Sequence, residues 1–272
     1  MLATQVLVDR AGFSPGEIDG AGGPNTQHAI AAFERERKTT VAEALASAAE
    51  PATIDYTISA EDEAMPRTPA IPEDMMEKAK LKRLDYATML EMLGERFHAS
   101  TALLKRLNPS SQFAVGERIT VPNTQVVSTL EAKPIPNIVV RVSKGASTLT
   151  VTGASGETLM HAPVTSGSEH DPLPIGAWTV TSVVRNPAFN YNPDLFWDAD
   201  PAHAKAKIPP GPNGPVGVVW IDISKPHYGI HGTPEPGTVG HTSSHGCVRL
   251  TNWDALKLAA MVGKGTKVEF VE

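Results

Sequence analysis

Hydrophobic residues recur at helical spacing in the first part of the chain. Apolar positions three and four apart are typical of a helix that buries one face. Residues 1–48 hold two such stripes, formed by Leu2, Val6 and Leu7 and by Ala29, Ile30 and Phe33. Between the stripes, residues 12–20 are rich in Gly with one Pro, and they predict a tight loop. The pattern therefore predicts a small helical domain over residues 1–48.

The helical pattern is lost in the next segment. Four prolines, at positions 51, 66, 69 and 72, stand among alanine, threonine and acidic residues. That composition is typical of an exposed, partly extended chain. We predict a Pro-rich linker over residues 49–80, with a short helix near 75–79 as an open alternative.

Helical spacing returns over residues 81–123. One predicted helix runs through Met89 and Leu93, and a second can be capped by Ser100 and stops at Asn108, before a proline. Residues 115–122 then predict a turn that leads into a short strand. This segment is predicted to be a separate small module.

From residue 134 the pattern becomes that of β-strands. Short apolar or alternating segments, separated by turn residues, occur at 138–142, 148–151, 178–181, 218–223 and 267–271. One clear helix is predicted over 253–262. Strands at short spacing with one main helix favour a β-sandwich or barrel-like sheet over residues 134–272. The whole chain is thus predicted to be a multidomain α+β protein.

A long stretch without regular pattern interrupts this β region. Residues 186–215 are rich in Pro, Asn and Gly, and loops of this length are usually functional or disordered. Four aromatic residues lie within it, namely Phe189, Tyr191, Phe196 and Trp197. They favour an ordered lid, in which Phe189, Tyr191 and Trp197 are expected to be anchors rather than platforms for substrate.

Composition excludes some classes of function. The formal net charge is -6, so no basic excess exists to neutralise nucleic-acid phosphates. No apolar run reaches the roughly 18 residues that a membrane span requires. The chain has a single cysteine, Cys247, and therefore no intramolecular disulfide. In an oxidising compartment a lone thiol is a liability unless it is used, which directs attention to its surroundings.

The residues around Cys247 suggest nucleophilic chemistry. A thiol attacks as the thiolate, and an imidazole is its usual activator. His231, His241 and His245 all lie within sixteen positions of the sulfur, and their spacing alone does not choose the base. Gly246 allows a close approach to the backbone, so the amides of residues 246 and 247 could face a developing oxyanion.

Four further residues of this region have candidate roles. Arg249 could hold a substrate carboxylate through two parallel hydrogen bonds, or instead pair with Asp254. Tyr228 could line the pocket or only pack. We expect Ser244 and Thr233 to join Arg249 and Tyr228 in binding substrate.

These motifs resemble a known signature. His231-Gly-Thr followed by Ser-His-Gly-Cys-Val-Arg-Leu, at 244–250, is similar to the motif of the YkuD-type L,D-transpeptidase catalytic domain. Pro-Ile-Gly at 174–176, the Pro/Gly-rich run at 208–215 and the closing strand after Gly263 fit the same family. The resemblance covers residues 134–272.

The resemblance implies acyl transfer on peptidoglycan stem peptides. Cys247 would be the nucleophile, His231 the general base, and His245 would shape the site, with the Gly246 amide in the oxyanion hole. A thioester with a tetrapeptide stem would form and release the terminal D-alanine. The acceptor would be an amine of another stem or of a lysine on an outer-membrane protein. No cofactor or metal is implied.

Further implications concern inhibition and location. Carbapenem-type inhibitors are expected to acylate Cys247. We expect the protein to be exported to the periplasm or cell wall, with a signal peptide that is not present in this sequence.

The two N-terminal segments have resemblances of their own. The 12–20 loop with Ala29 and Phe33 is similar to a three-helix peptidoglycan-binding domain. Residues 81–123 resemble a LysM-like βααβ module through Leu104, Asn108 and Gly116. That module's usual opening strand and Gly-Asp-Thr-Leu are replaced by residues 85–90.

Other interpretations remain open. Water as the acceptor would make the protein an L,D-carboxypeptidase, and a non-catalytic wall-binding protein could keep the same fold. His231, His241, His245 and Cys247 could instead bind zinc, although the spacing is unusual for a closed site. Trp220 is expected to be a core residue.

Overall fold

The computed structural model describes residues 1–124 and 133–272. Its helices are α1 (Leu2–Arg10), α2 (Pro24–Arg37), α3 (Val41–Ala46), α4 (Ala60–Ala64), α5 (Met75–Lys78), α6 (Met89–Arg96), α7 (Thr101–Leu107) and α8 (Asn252–Met261). Its strands are β1 (Thr53–Thr57), β2 (Arg118–Pro122), β3 (Val139–Ser143), β4 (Thr148–Thr152), β5 (Thr158–Pro163), β6 (Thr165–Ser166), β7 (Gly176–Arg185), β8 (Phe189–Tyr191), β9 (Ala206–Ile208), β10 (Val219–Ile223), β11 (Gly229–His231), β12 (Val248–Arg249) and β13 (Lys267–Val271).

Nine strands of the C-terminal domain form one sheet, in the order β5-β4-β3-β13-β7-β10-β11-β12-β6. Inward and outward residues alternate as expected for a half-buried strand. In β3, for example, Val140 and Val142 are buried and Arg141 is exposed. Leu258 of α8 is part of the same buried core. The prediction of a mostly-β, barrel-like domain is confirmed, and α8 is its one α-helix among the described residues from 133 onward.

The first three helices enclose a small core. Phe13 and Phe33 meet edge to face with ring centroids 5.7 Å apart, and Ala29 is fully buried beside them. Val6 of α1 points the other way, into a core that it shares with α6 and α7. The helical pattern predicted for residues 1–48 therefore forms, while a peptidoglycan-binding role for it stays a prediction.

Residues 49–80 differ from the predicted linker. Strand β1 lies here and pairs antiparallel with β2, with Thr53 opposite Pro122. Helices α4 and α5 follow, so the open alternative of a short helix near 75–79 is realised as α5. The prolines fall before and between these elements, where their missing N–H breaks no ladder. The linker prediction is wrong because it weighed proline content above the alternation of Thr53–Thr57.

The middle module therefore spans residues 53–122. Helices α6 and α7 lie between β1 and β2, and the Ser100 hydroxyl caps α7 by accepting from the Leu103 amide at 3.0 Å, as predicted. This strand–helix–helix–strand order includes an insertion, residues 58–87, that contains α4 and α5. Glycan binding by the module stays a prediction.

Helix α8 is the meeting point of the three parts of the chain. Ser14 of the N-terminal module donates to Asp254 at 2.7 Å. His98, which follows α6, stacks on Trp253 with ring centroids 5.1 Å apart. Asn252 donates to Glu95 of α6 at 2.9 Å. Since α8 also packs behind β10 and β11, the two N-terminal modules contact the element that supports the candidate site.

Candidate active site

Two short parallel strands bring Cys247 and His231 to one place. His231 is the last residue of β11, and Cys247 directly precedes β12. The register sets His231 opposite Arg249, which leaves Cys247 beside Gly229. Both side chains line an open cavity of about 900 Å³. The prediction that the cysteine and an imidazole share a site thus has geometric support.

The ring of His231 is buried and held in one tautomer. Its Nδ1 atom lies 2.6 Å from the carbonyl oxygen of Gly232, and because a carbonyl only accepts, Nδ1 carries the proton. The lone pair is therefore on Nε2. Burial is the main cause that lowers the pKa of His231 to about 4. The hydrogen bond to Gly232 opposes this shift, and the positive charge of Arg249 adds to it. A neutral imidazole of this kind can accept a proton at neutral pH.

Trp220 covers one face of that ring. The two rings stack with centroids 5.5 Å apart and planes inclined by 21°. Trp220 is partly exposed and lines the cavity, so the expectation that it is a core residue is wrong. Its place follows from the β10–β11 register, which sets Trp220 opposite His231. The sequence could have signalled this only once the strand pairing was known.

The sulfur of Cys247 lies among backbone atoms. Sγ is 3.8 Å from the carbonyl oxygen of His227. Burial raises the pKa of the Cys247 thiol, while a hydrogen bond from the Gly229 backbone and the charge of Arg249 oppose this rise. The resting group is therefore a thiol rather than a thiolate. Its activation requires transfer of the proton to a nearby base during the attack.

Gly246 and Ser244 shape the loop before the cysteine. Gly246 has φ 95°, and a Cβ there would lie 2.6 Å from the ring of Tyr228. Only glycine fits, because both the backbone conformation and the space exclude a side chain. The Ser244 hydroxyl donates to the Cys247 carbonyl at 2.6 Å and accepts from the Gly167 amide at 2.8 Å. Ser244 therefore orders the loop, although it was predicted as a substrate contact.

The other two histidines of the motif have different surroundings, although His245 also lines the cavity. His245 contacts Asp198 of the lid through Nε2 at 2.8 Å and meets the Phe196 ring edge to face. The ring of His241 lies 3.4 Å from the Asn25 amide, in a separate pocket beside the N-terminal module. Of the three candidates, His231 is the buried one, and it lines the cavity together with Cys247. Among the described residues no group of three or more His, Cys, Asp or Glu side chains could hold a metal ion, so the four residues considered for zinc do not form such a site.

Arg249 brings a charged group to the cavity, whereas the Thr233 hydroxyl is engaged by a backbone amide. Arg249 lines the cavity. Burial lowers the pKa of Arg249, while the negative charges of Cys247, Glu235 and Asp198 raise it in part. The alternative pairing with Asp254 is wrong, because that carboxylate is buried and accepts from Ser14 and Thr251 instead. Thr233 is buried, and its hydroxyl accepts from the Glu235 amide at 3.3 Å.

Tyr228 lies at the entrance to the site. Its ring lines the cavity, packs against Gly246 and carries the Lys225 ammonium 5.8 Å from its centroid. Both interpretations of this residue, pocket lining and packing, therefore apply.

The lid over residues 186–215 is ordered and rests on the middle module. Tyr191 and Ile208 are buried together with Leu84, and Met75 of α5 packs against them. His203 joins the two segments, since its ring contacts Tyr191 Oη at 2.8 Å and Asp74 Oδ2 at 2.9 Å. Trp197 is 61% exposed, but its ring stacks on His170 with centroids 4.4 Å apart, so it joins the lid to the segment before β7.

Several residues of the cavity were missed by sequence reasoning. They are Lys78 and Met75 of α5, Asp198 of the lid, Asp171, Lys225 and Glu235. Each lies outside the Cys/His motif, and nothing in its local pattern distinguishes it from an ordinary surface residue. Lys78 in particular comes from the middle module, about 170 positions before Cys247 in the chain.

Comparison with known proteins identifies the family of the C-terminal domain. The model of the L,D-transpeptidase catalytic domain, YkuD, matches residues 137–270. The putative L,D-transpeptidase YkuD of Bacillus subtilis is 30% identical over 181 residues, which cover 66% of this chain and 91% of that protein. The probable L,D-transpeptidase YbiS of Escherichia coli is 42% identical over 67 residues, which are 25% of this chain and 22% of that one.

A solved structure shows a weaker likeness. L,D-transpeptidase 3 of Mycobacterium tuberculosis, in complex with a faropenem-derived adduct, is 22% identical with a TM-score of 0.42, over 50% of this chain and 61% of that one. The relationship to the B. subtilis protein and the family match settle the class: the chain belongs to the YkuD-type L,D-transpeptidase family.

No helix in the described ranges, 1–124 and 133–272, combines the length and apolar character needed to cross a membrane.

Proposed function

We propose that this protein is a peptidoglycan L,D-transpeptidase that works through a thioester on Cys247. The observation that carries the proposal is that Cys247 and a buried, neutral His231, whose Nε2 lone pair is unengaged by the Gly232 bond, line one open cavity. Membership of the L,D-transpeptidase family supports the same reaction.

The first half-reaction acylates the cysteine. His231 Nε2 takes the thiol proton as Sγ attacks the carbonyl that precedes the terminal D-alanine of a tetrapeptide stem. The negative charge on the carbonyl oxygen is stabilised by backbone amides at 246 and 247. The C–N bond then breaks, the imidazolium returns its proton to the leaving amine, and D-alanine departs.

The second half-reaction transfers the acyl group. An amine attacks the thioester, the amide bond forms, and the proton lost by the amine returns through His231 to the sulfur. The acceptor amine belongs to a second stem or to a lysine of an outer-membrane protein. The proposed location is the periplasm or cell wall, and the proposed role is in cell-wall biogenesis and cell shape.

Substrate binding is assigned to the charged lining of the cavity. Stem peptides carry several carboxylates, and Arg249 presents a guanidinium two residues from the nucleophile. Asp198, a carboxylate of the same cavity, pairs with His245 at 2.8 Å, and this supports a role for Arg249 in holding a substrate carboxylate. Tyr228 and Thr233 complete this part of the proposed pocket.

The test is intact-protein mass spectrometry with a tetrapeptide stem. We expect a covalent adduct on the wild type, release of D-alanine, and neither with Cys247→Ala. A carbapenem should acylate the same residue. An unmodified wild-type protein that is folded would refute the proposal and favour the non-catalytic wall-binding alternative.

The products separate transfer from hydrolysis. With an amine acceptor present, a transpeptidase yields cross-linked dimers, whereas an L,D-carboxypeptidase yields tripeptide stems alone. Chromatography of muropeptides before and after incubation measures both.

A further inference from the structure

The backbone that fixes the His231 ring is itself held by a buried amide. The carbonyl of Gly232 accepts from His231 Nδ1, and a Cβ on Gly232 or on Gly217 would overlap Oδ1 of Asn252. The Val218 amide donates to the same Oδ1 atom at 3.2 Å. Asn252 is fully buried at the start of α8. The Asn252 side chain thus fills the space directly behind the turn that carries the base.

The orientation of this amide is set by its other end. Asn252 Nδ2 donates to Glu95 Oε1 at 2.9 Å and to the Pro212 carbonyl at 3.2 Å. A reversed amide would direct its oxygen at the Pro212 carbonyl and its N–H groups at the Val218 amide. The hydrogen bonds with these two groups would be lost, and a buried loss of this kind is costly. Glu95 lies on α6, outside the stretch that matches the family model.

We propose that Asn252 is a positioning residue for His231 and that Glu95 of the middle module holds the Asn252 amide in the orientation that this requires. The proposal rests on the acyl-transfer function proposed above, because it assigns His231 as the base. It makes the middle module a structural part of the active site rather than only an appended binding unit.

The chemistry of Glu95 suits a neutral hydrogen-bond acceptor. Burial is the main cause that raises the pKa of Glu95 to about 8. The hydrogen bond from Asn252 opposes the rise, and the negative charges of Glu91 and Glu17 add to it. The carboxyl is therefore protonated at neutral pH. Glutamine has the same shape and offers the same acceptor oxygen, which makes Glu95→Gln a conservative replacement.

The test measures carbapenem acylation of Cys247 in the full chain over a range of inhibitor concentrations. It yields a limiting rate constant and a half-saturating concentration. For Glu95→Ala we expect a limiting rate lower by about tenfold or more, because a misplaced base slows chemistry, and a half-saturating concentration within about twofold of wild type. Glu95→Gln is expected to restore the limiting rate to within about twofold of wild type.

Asn213 provides a matched control. It also joins the C-terminal domain to the middle module, donating to Glu91 at 2.6 Å and to the Asp85 carbonyl at 3.0 Å, but it does not touch Gly232. Asn213→Ala is expected to lower the melting temperature without lowering the limiting rate. If Glu95→Ala does not fold, Glu95→Leu, of similar volume and without an acceptor, takes its place.

The outcomes are distinct. A wild-type limiting rate in Glu95→Ala or Glu95→Leu overturns the positioning proposal, and so does an equal loss of rate in Asn213→Ala. A loss that Glu95→Gln does not restore also overturns it. If the wild type forms no adduct at Cys247, the proposed function itself fails, and the positioning role fails with it.

Discussion

The carboxylate of Asp9 and Nδ1 of His98 lie 3.0 Å apart in a buried, hydrogen-bonded pair that joins the N-terminal helix to the middle module. Burial alone would raise the pKa of Asp9, but the charge and hydrogen bond of His98 outweigh it, so the pKa is lowered. Removing one partner of a buried pair leaves the other uncompensated. Asp9→Asn is expected to reduce the free energy of unfolding by roughly 3 kcal/mol, measured by denaturant titration.

The same pair predicts a dependence of stability on pH. Because the folded pKa of Asp9 lies below its unfolded value, its contribution is complete above about pH 4 and disappears as the pH falls through the lowered value. The exposed pair between Arg118 and Asp55 is the control, and Asp55→Asn should change stability by less than about 1 kcal/mol. Equal losses of stability in Asp9→Asn and Asp55→Asn would contradict the claim that burial strengthens the Asp9–His98 contact.

Glu95 is expected to give stability the opposite dependence on pH, so that stability falls as the pH rises. Its carboxyl pKa is raised to about 8 in the folded chain, so between its ordinary value and about 8 the folded state holds a proton that the unfolded state has lost. Stability from this group is complete at low pH and declines as the pH rises to about 8. Glu95→Gln should remove this decline and raise the free energy of unfolding at pH 8 by several kcal/mol, roughly 1.4 kcal/mol for each unit by which the pKa is raised. A variant with an unchanged slope would show that the carboxyl is not protonated at pH 7.

The pH dependence of acylation should report His231. Since its folded pKa is about 4, the ring stays neutral and able to accept a proton from pH 8 down to about pH 5. We expect the acid limb of the rate of carbapenem adduct formation near pH 4, well below that of an ordinary histidine. His241→Gln should leave this limb in place, because that ring faces Asn25. An acid limb between pH 6 and 7 would exclude His231 as the base in this environment.

Gly246 predicts a clash that can be separated from backbone strain. Gly246→Ala adds a Cβ 2.6 Å from the Tyr228 ring at a position with φ 95°. Gly156, with φ 88° and no atom within 4 Å of its added Cβ, has the strain without the clash. Gly156→Ala should cost about 1–2 kcal/mol of folding free energy and leave acylation unchanged, whereas Gly246→Ala should also lower acylation of Cys247. Normal acylation in Gly246→Ala would show that the loop tolerates displacement.

The lid should depend on its contact with the middle module. Tyr191 is buried beside Leu84 and Ile208, so Tyr191→Ala removes a central part of this small core. Faster hydrogen exchange of residues 189–208 is expected, measured by mass spectrometry, together with slower acylation. Leu195, which is 47% exposed, is the control, and Leu195→Ala should leave exchange unchanged. Unchanged exchange in Tyr191→Ala would mean that other contacts order the lid.

The parts of the fold that were predicted correctly depend on local pattern. The alternation around Val140 and the apolar face of α8 are visible in short windows, as is the Ser100 cap. Strand β1 was missed because its stability comes from pairing with β2, more than 60 residues away. Local composition, with proline on both sides, pointed to an extended linker instead.

The candidate site shows the same division. Cys247, His231 and Gly246 stand in one motif, so their type and spacing could be read directly. Glu95 and Asn252 contact each other across 157 positions, and neither has a local signature. Such partners are determined by how domains pack, which a single sequence does not display.

The position of β13 has a consequence for synthesis on the ribosome. This strand lies between β3 and β7 and pairs in parallel with β3, so that Val268 lies opposite Val140. The sheet therefore has a vacant central place until residue 271 has left the exit tunnel. Strands made earlier must wait with unpaired edges, which are prone to wrong association. Completion of the nine-stranded sheet is thereby postponed until this last strand has been made.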